Sequence, residues 1–397
     1  MASAIVVVSA PTTAHAVVEE APRPAFYEAP ATLPATNGAV IRTEPMSFLL
    51  DPLDATSPVT NAKRVLYKTT NRAGKAIAVS GVVPGPQDQL DRLRLAPGDR
   101  LRGRHPGHGR RLRPLAAVQR GLLSTKQLAS GHCSTRGYAV ALTDYEGLGT
   151  AGIHTYMDRV SQGRAVLDVI RAAQRISGTG LSSTSPVGLE GYSQGGGAAA
   201  SAAELAATYA PELRIKGAVV GAVPADLNAV AVGLDGGLYS AFAFFALRGL
   251  AASYDVDTVP YLNAEGVKTM QQVEQDCVFD LFGHSFVKSE TLSYNGKGMS
   301  DLMALPQFAG IIADQRIGTI KPSMPVLVLH SALDDVIPFA VGKTMAKSWC
   351  GKGANVRFTP NVMPGHVGGY TPVIAEAAMF FENRFAGLPQ WNNCWTL

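Results

Sequence analysis

The run Val187-Gly188-Leu189-Glu190-Gly191-Tyr192-Ser193-Gln194-Gly195-Gly196-Gly197 constrains this chain more than any other stretch. Apolar, β-type residues lead into G-x-S-x-G, and an alanine-rich segment follows over residues 198–209. The pattern reads as a nucleophile elbow, in which glycines let the chain turn sharply enough to project Ser193 from a strand end, with a helix N-terminus behind it. Because the chain holds 41 glycines, a bare motif match would carry little weight. The strand before it and the helix after it give the motif its meaning. Glu204 is predicted to face solvent from that helix.

A serine hydroxyl needs a histidine to take its proton, and the imidazolium then needs a carboxylate. In a strand-turn-helix setting of this kind the expected order is Ser, acid, His. After Ser193 the acid candidates are Asp334 and its rival Asp335, in Ser331-Ala332-Leu333-Asp334-Asp335-Val336-Ile337-Pro338, just past a predicted strand over 325–330. The base candidate is His366, in the glycine-rich run Met363-Pro364-Gly365-His366-Val367-Gly368-Gly369 after a strand predicted over 355–362. His154 precedes the nucleophile and His330 lies on the acid's own strand, so neither fits the order, and His284 is also less attractive. The chemistry requires neither metal nor cofactor.

Strands are also predicted over 64–69 and 76–83, joined as a hairpin through Asn71-Arg72-Ala73-Gly74, and over 138–143 and 216–223, with an amphipathic helix over 163–176. Alternating strands and helices after residue 135 imply a mostly parallel central sheet covered by helices on both faces. The alternation lapses between Pro224 and Pro325, where Phe242, Phe244 and Phe245 sit on an apolar stretch too short to cross a bilayer. That stretch reads as part of a helical cap inserted over the sheet, suited to a long alkyl chain, with an ordinary core helix as the alternative. The expected organisation is a signal segment over 1–16, an extended arm over 17–61, a first core part over 62–224, the cap over 225–320 and a second core part over 321–397.

The N-terminus is apolar through Ile5-Val6-Val7-Val8 and reaches Ala14-His15-Ala16, an A-x-A cleavage pattern without a basic leader, so export with cleavage after Ala16 is expected. Net charge is only +4, which leaves no nucleic-acid footprint. No stable protein partner is implied. Export makes Cys133, Cys277, Cys350 and Cys394 candidates for disulfides whose connectivity spacing does not give. A bridge between Cys350 and Cys394 would tie down the tail, and unpaired buried thiols are the alternative.

With these residues in hand, the chain resembles the secretory lipases of the lipase A type, which are α/β-hydrolases. The likeness is carried by Phe26-Tyr27 with the proline-rich arm, Thr143-Asp144-Tyr145-Glu146-Gly147-Leu148-Gly149, residues 190–213, and Cys350-Gly351-Lys352-Gly353-Ala354-Asn355-Val356. The resemblance implies hydrolysis of carboxylic esters, acylglycerols foremost, at a lipid–water interface, with Ser193, Asp334 and His366 as the triad. It favours Asp334 over Asp335 and implies a Cys350–Cys394 bridge. One oxyanion donor is expected to be the backbone N–H of Gln194. Members of the family carry the second donor earlier, after their third strand, so Asp144 reads as a structural strand-end residue.

One segment departs from the family. Over residues 91–120 nine arginines are packed among Leu, Gly and Pro, where the family has an apolar strand, a Gly/Thr-rich donor loop and a Cys-Ala-Pro-Ser motif. Back-translation of residues 105–119 with a one-base shift recovers that motif, so the segment reads as a compensated frameshift from near residue 90 to about Gly137. A basic surface loop that meets an anionic membrane is the benign alternative. If the frame is as written, the second oxyanion donor and the partner of Cys277 are lost, and a catalytically impaired lipid-binding homologue becomes the competing expectation.

Overall fold

The computed structural model describes residues 23–48, 60–84, 138–276, 278 and 280–397. The expected signal segment, the arginine-rich stretch, Cys133 and Cys277 lie outside the described residues.

Four strands before residue 144 run antiparallel: β1 (Val40–Phe48), β2 (Thr60–Thr70), β3 (Ala76–Pro84) and the short β4 (Leu142–Thr143). The β2–β3 hairpin forms as the sequence predicts, pairing Thr70 with Ala76 across a turn closed by Asn71 N–H to the Lys75 carbonyl at 3.0 Å. So short a connection can join only antiparallel neighbours, because parallel strands need a crossover. The extended arm contributes β1, which carries Pro45 and, among the described residues, lies at the edge of its sheet. Of the strand predicted over 138–143, only its last two residues pair.

From the elbow onward the sheet is parallel, in the order β5 (Val187–Tyr192), β6 (Ile215–Gly221), β7 (Val326–Ser331) and β8 (Val356–Asn361). All three pairings of this sheet are parallel, as the alternation of strands and helices predicts. Strand β7 is buried along its whole length, as a parallel strand covered on both faces should be. On one face Val219, Leu327 and Leu329 pack against Val373, Phe380 and Phe381 of the C-terminal helix (Thr371–Phe385). On the other, Leu189, Val220 and Val328 meet the helix that follows the elbow.

Helix α1 (Arg159–Arg175) covers β2, β3 and β4 and packs against α2 (Gln194–Tyr209), which covers β5 and β6, so one helical layer spans both sheets. The Asp158 carboxylate caps α1 by accepting from Val160 N–H and Ser161 N–H. Helix α2 is rich in small residues because it is enclosed: Ala198, Ala200, Ala202 and Ala203 are fully buried. The same enclosure overturns the expected position of Glu204, which is 2% exposed. Its Oε1 accepts from Gly318 N–H at 2.7 Å, Ile320 N–H at 3.2 Å and Trp349 Nε1–H at 2.9 Å, while Oε2 lies 3.4 Å from Arg159 Nη1. Burial raises its carboxyl pKa above the usual range, and these donors pull the other way. Removing the carboxylate takes the acceptor from four donors, of which Gly318 N–H and Trp349 Nε1–H are buried. Glu204→Ala should therefore cost about 3 kcal/mol of unfolding free energy by denaturant titration, with Glu204→Gln costing less.

Between β6 and β7 the chain forms an inserted helical layer: α3 (Leu227–Leu234), α4 (Ala241–Tyr254), α5 (Ala264–Val273), α6 (Met299–Met303) and α7 (Pro306–Asp314). Among the described residues no helix is long and apolar enough to cross a membrane. Helix α8 (Phe339–Gly351) follows β7, and its Cys350 is bonded to Cys394, closing 44 residues of chain. On a chain-entropy basis such a loop contributes about 4 kcal/mol of stability.

Candidate active site

Because β5, β7 and β8 are parallel, the loops that leave them emerge at one edge of the sheet. Ser193 follows β5, Asp334 follows β7, and His366 follows β8 within the short helix α9 (Gly365–Gly368).

Ser193 has φ 57° and ψ −122°, a left-handed setting that costs a non-glycine residue free energy. The turn is closed so tightly that a Cβ on Gly191 would lie 1.9 Å from the Gly195 carbonyl oxygen. A Cβ on Gly196 would lie 2.2 Å from the carbonyl oxygen of Gly221 on β6. Glycine at these two positions is a condition of the turn. Ser193 N–H donates to that same Gly221 carbonyl at 3.0 Å, which locks the elbow to the neighbouring strand. The Ser193 hydroxyl makes no cap to α2, so it is not consumed by the fold.

The carboxylate of Asp334 is fully buried and receives His366 Nδ1–H at 3.0 Å on Oδ1 and 2.9 Å on Oδ2. Oδ1 also accepts Val336 N–H at 2.9 Å and Ile337 N–H at 2.8 Å. Burial alone would raise the acid's pKa, but the His366 hydrogen bond and charge, with the two backbone donors, hold it below the usual carboxylate range. Asp335, the rival of Asp334 in the sequence, is exposed and accepts His366 backbone N–H at 2.8 Å. Tyr192, next to Ser193, donates its phenol O–H to the His366 carbonyl at 2.6 Å. Asp334 and His366 are thus brought together, with Asp334 and Asp335 given different tasks.

Two histidines set aside in the sequence also border the site. His154 Nδ1–H donates to the Glu146 carbonyl at 2.7 Å, so its Nε2 accepts from the Gln194 side-chain amide at 3.1 Å. That contact fixes the side chain of the expected oxyanion residue, and nothing local in the glycine-rich loop around His154 announces it. His330 is 1% exposed, and its Nε2–H donates to the Ile337 carbonyl at 3.0 Å, supporting the turn that carries Asp334. Burial depresses its pKa. A depressed imidazole pKa means the unfolded chain binds the extra proton, so stability is lost as pH falls through the unfolded value of about 6.5. Asp334 loses its contribution only at lower pH, below the ordinary carboxylate value of about 3.9. The unfolding free energy is expected to decline between about pH 7.5 and about pH 5.5, and His330→Gln should flatten part of that slope. Asp144 accepts from Ser80 Oγ at 2.7 Å and pairs with β3 through its backbone, a strand-end role.

Ser193 is also among the lining residues of an apolar pocket that is partly open to solvent. The inserted helices supply most of its wall, including Leu227, Leu234, Phe242, Leu250, Met270 and Phe308, with Val336 and Ile337 beside the acid. Phe242 and Phe244 line this cavity, while Phe245 meets Tyr156 edge-on.

A model of the secretory lipase family matches residues 126–393, which begin beyond the arginine-rich stretch. The chain is 29% identical to a probable inactive lipase of Mycobacterium tuberculosis, over 92% of this chain and 82% of that one. It is also 29% identical to a secreted triacylglycerol lipase of Malassezia furfur, over 68% of this chain and 71% of that one. Among solved structures, lipase A of Candida antarctica in its closed state matches with a TM-score of 0.78 at 24% identity, covering 94% of this chain and 89% of that one. At that identity the likeness speaks for the α/β-hydrolase fold.

Proposed function

The chain belongs to the secretory lipase family, and from that premise we propose that it is a secreted serine ester hydrolase acting on acylglycerols or related esters. One observation carries the reading: the strained serine that follows β5 lines an apolar pocket. An acyl chain would occupy that cavity with its carbonyl carbon beside Ser193. His366 Nε2 would take the Ser193 proton as Oγ attacks, and Asp334 would stabilise the imidazolium. Gln194 N–H, at the N-terminus of α2, would meet the oxyanion. Collapse breaks the ester C–O bond, with the proton passing from His366 to the leaving alcohol. Water, activated by the same imidazole, then releases the acid. In this reading residues 225–320 act as the cap and the substrate is met at a lipid–water interface.

A long-chain alkyl phosphonate ester tests the assignment. It should label the chain once, on the peptide that contains Ser193, and ester hydrolysis without such labelling would count against the reading. A second reading, an impaired homologue that binds lipid without turning it over, is favoured by the relative named a probable inactive lipase. Hydrolysis of a short-chain chromogenic ester, compared with a chain whose residues 90–136 are restored to the other reading frame, separates the two. Equal and substantial rates would dismiss the impaired form. Loss of one oxyanion donor predicts a deficit of about 100- to 1000-fold.

A further inference from the structure

We propose that Tyr192 and Asp335 are positioning residues that clamp the peptide groups of His366 from both sides and thereby fix the aim of its imidazole. The inference rests on Ser193 and His366 being nucleophile and base. Asp335 Oδ1 accepts His366 N–H at 2.8 Å, Tyr192 O–H donates to its carbonyl at 2.6 Å, and Asp334 holds Nδ1. Among the described residues, Nε2 is the one polar atom of His366 left free for Ser193.

The loop needs such a device. It begins at Gly365 with φ 66°, continues into Gly368 and Gly369, and contains only the four-residue α9. Its neighbours Val362 and Val367 are 75% and 73% exposed, so packing does not hold it. A loop so rich in glycine gives up much conformational freedom when it is ordered, and the clamp supplies the restraint. Room for the phenol is built in: a Cβ on Gly369 would lie 2.8 Å from the Tyr192 hydroxyl. The Tyr192 ring rests 5.0 Å from that of Tyr370 and 5.1 Å from that of His366. Burial, with Asp334 and Asp335 nearby, raises the phenol's pKa, so it remains a donor throughout the working pH range. Since Tyr192 is bonded directly to Ser193, a single side chain spans from the nucleophile's own strand to the base.

The test uses the full chain. With a soluble short-chain ester, Tyr192→Phe and Asp335→Ala should each lower kcat ~10-fold while KM stays within about 2-fold, as expected for a misaimed base. Asp335→Asn keeps an oxygen acceptor and should recover most of what Asp335→Ala loses. Phenylalanine keeps the packing on Tyr370 and Asp335 is exposed, so both variants should fold. In 15N-histidine-labelled protein, the His366 Nδ1–H should exchange with solvent ~10-fold faster in Tyr192→Phe than in the parent. Unchanged kcat together with unchanged exchange would overturn the clamp. The exchange measurement needs no turnover, so it decides the clamp even if Ser193→Ala hydrolyses ester at the parental rate, a result that would strike only the functional reading.

Discussion

Ser193→Ala is expected to reduce ester hydrolysis by at least about 1000-fold and to leave the fold intact. Loss of a serine nucleophile in a comparable constellation costs up to about 10⁶ in kcat, with residual rate left to binding and the oxyanion donors. The fold survives because the Ser193 hydroxyl makes no cap to α2, and the elbow is held instead by Ser193 N–H on the Gly221 carbonyl. A companion substitution sharpens the result. Ser193→Gly removes the same nucleophile and also relieves a side chain from φ 57°. It should therefore raise the unfolding free energy by about 1 kcal/mol while hydrolysis disappears. Stability gained as activity is lost would identify strain kept for chemistry; a stability loss in both variants would show that the hydroxyl is structural.

Asp334→Asn should lower kcat/KM by about 10⁴-fold and forfeit the stability the carboxylate contributes at neutral pH without unfolding the chain. The asparagine oxygen can still accept Val336 N–H and Ile337 N–H, so the turn persists. Its amide, however, presents N–H to His366 Nδ1, where the carboxylate had accepted. The imidazole must then carry its proton on Nε2, the wrong nitrogen to receive one from Ser193. Steady-state kinetics on the pure variant measures this, and a loss smaller than about 10-fold would reject Asp334 as the orienting acid.

The elbow, the acid turn and the base loop were legible because each is a short local pattern at a strand end. The physical reason to prefer Asp334 over Asp335 was not, since adjacent carboxylates differ only in which way the turn points them, and that is set by Val336 N–H and Ile337 N–H. Glu204 misled for a related reason. A helix period shows which residues share a face, not what covers it, and here Trp349 and the 318–320 backbone cover the polar side. The link from His154 to Gln194 joins residues 40 apart through one side-chain contact and leaves no trace in either neighbourhood. β1 was hidden by its proline and by having, among the described residues, one partner strand. The resemblance anticipated the Cys350–Cys394 bridge, which spacing alone did not give.

The cavity wall comes mostly from one continuous insertion between β6 and β7, whereas the groups assigned to the chemistry stand on the strand ends outside it. On the proposed function, chemistry and selectivity would therefore occupy separable stretches of polypeptide. The elbow has no steric slack at Gly191 or Gly196, so adaptation to new acyl groups would be channelled into the insertion. It behaves as an interchangeable cartridge: exchanging it between relatives should transfer chain-length preference while the bond-breaking apparatus stays in place.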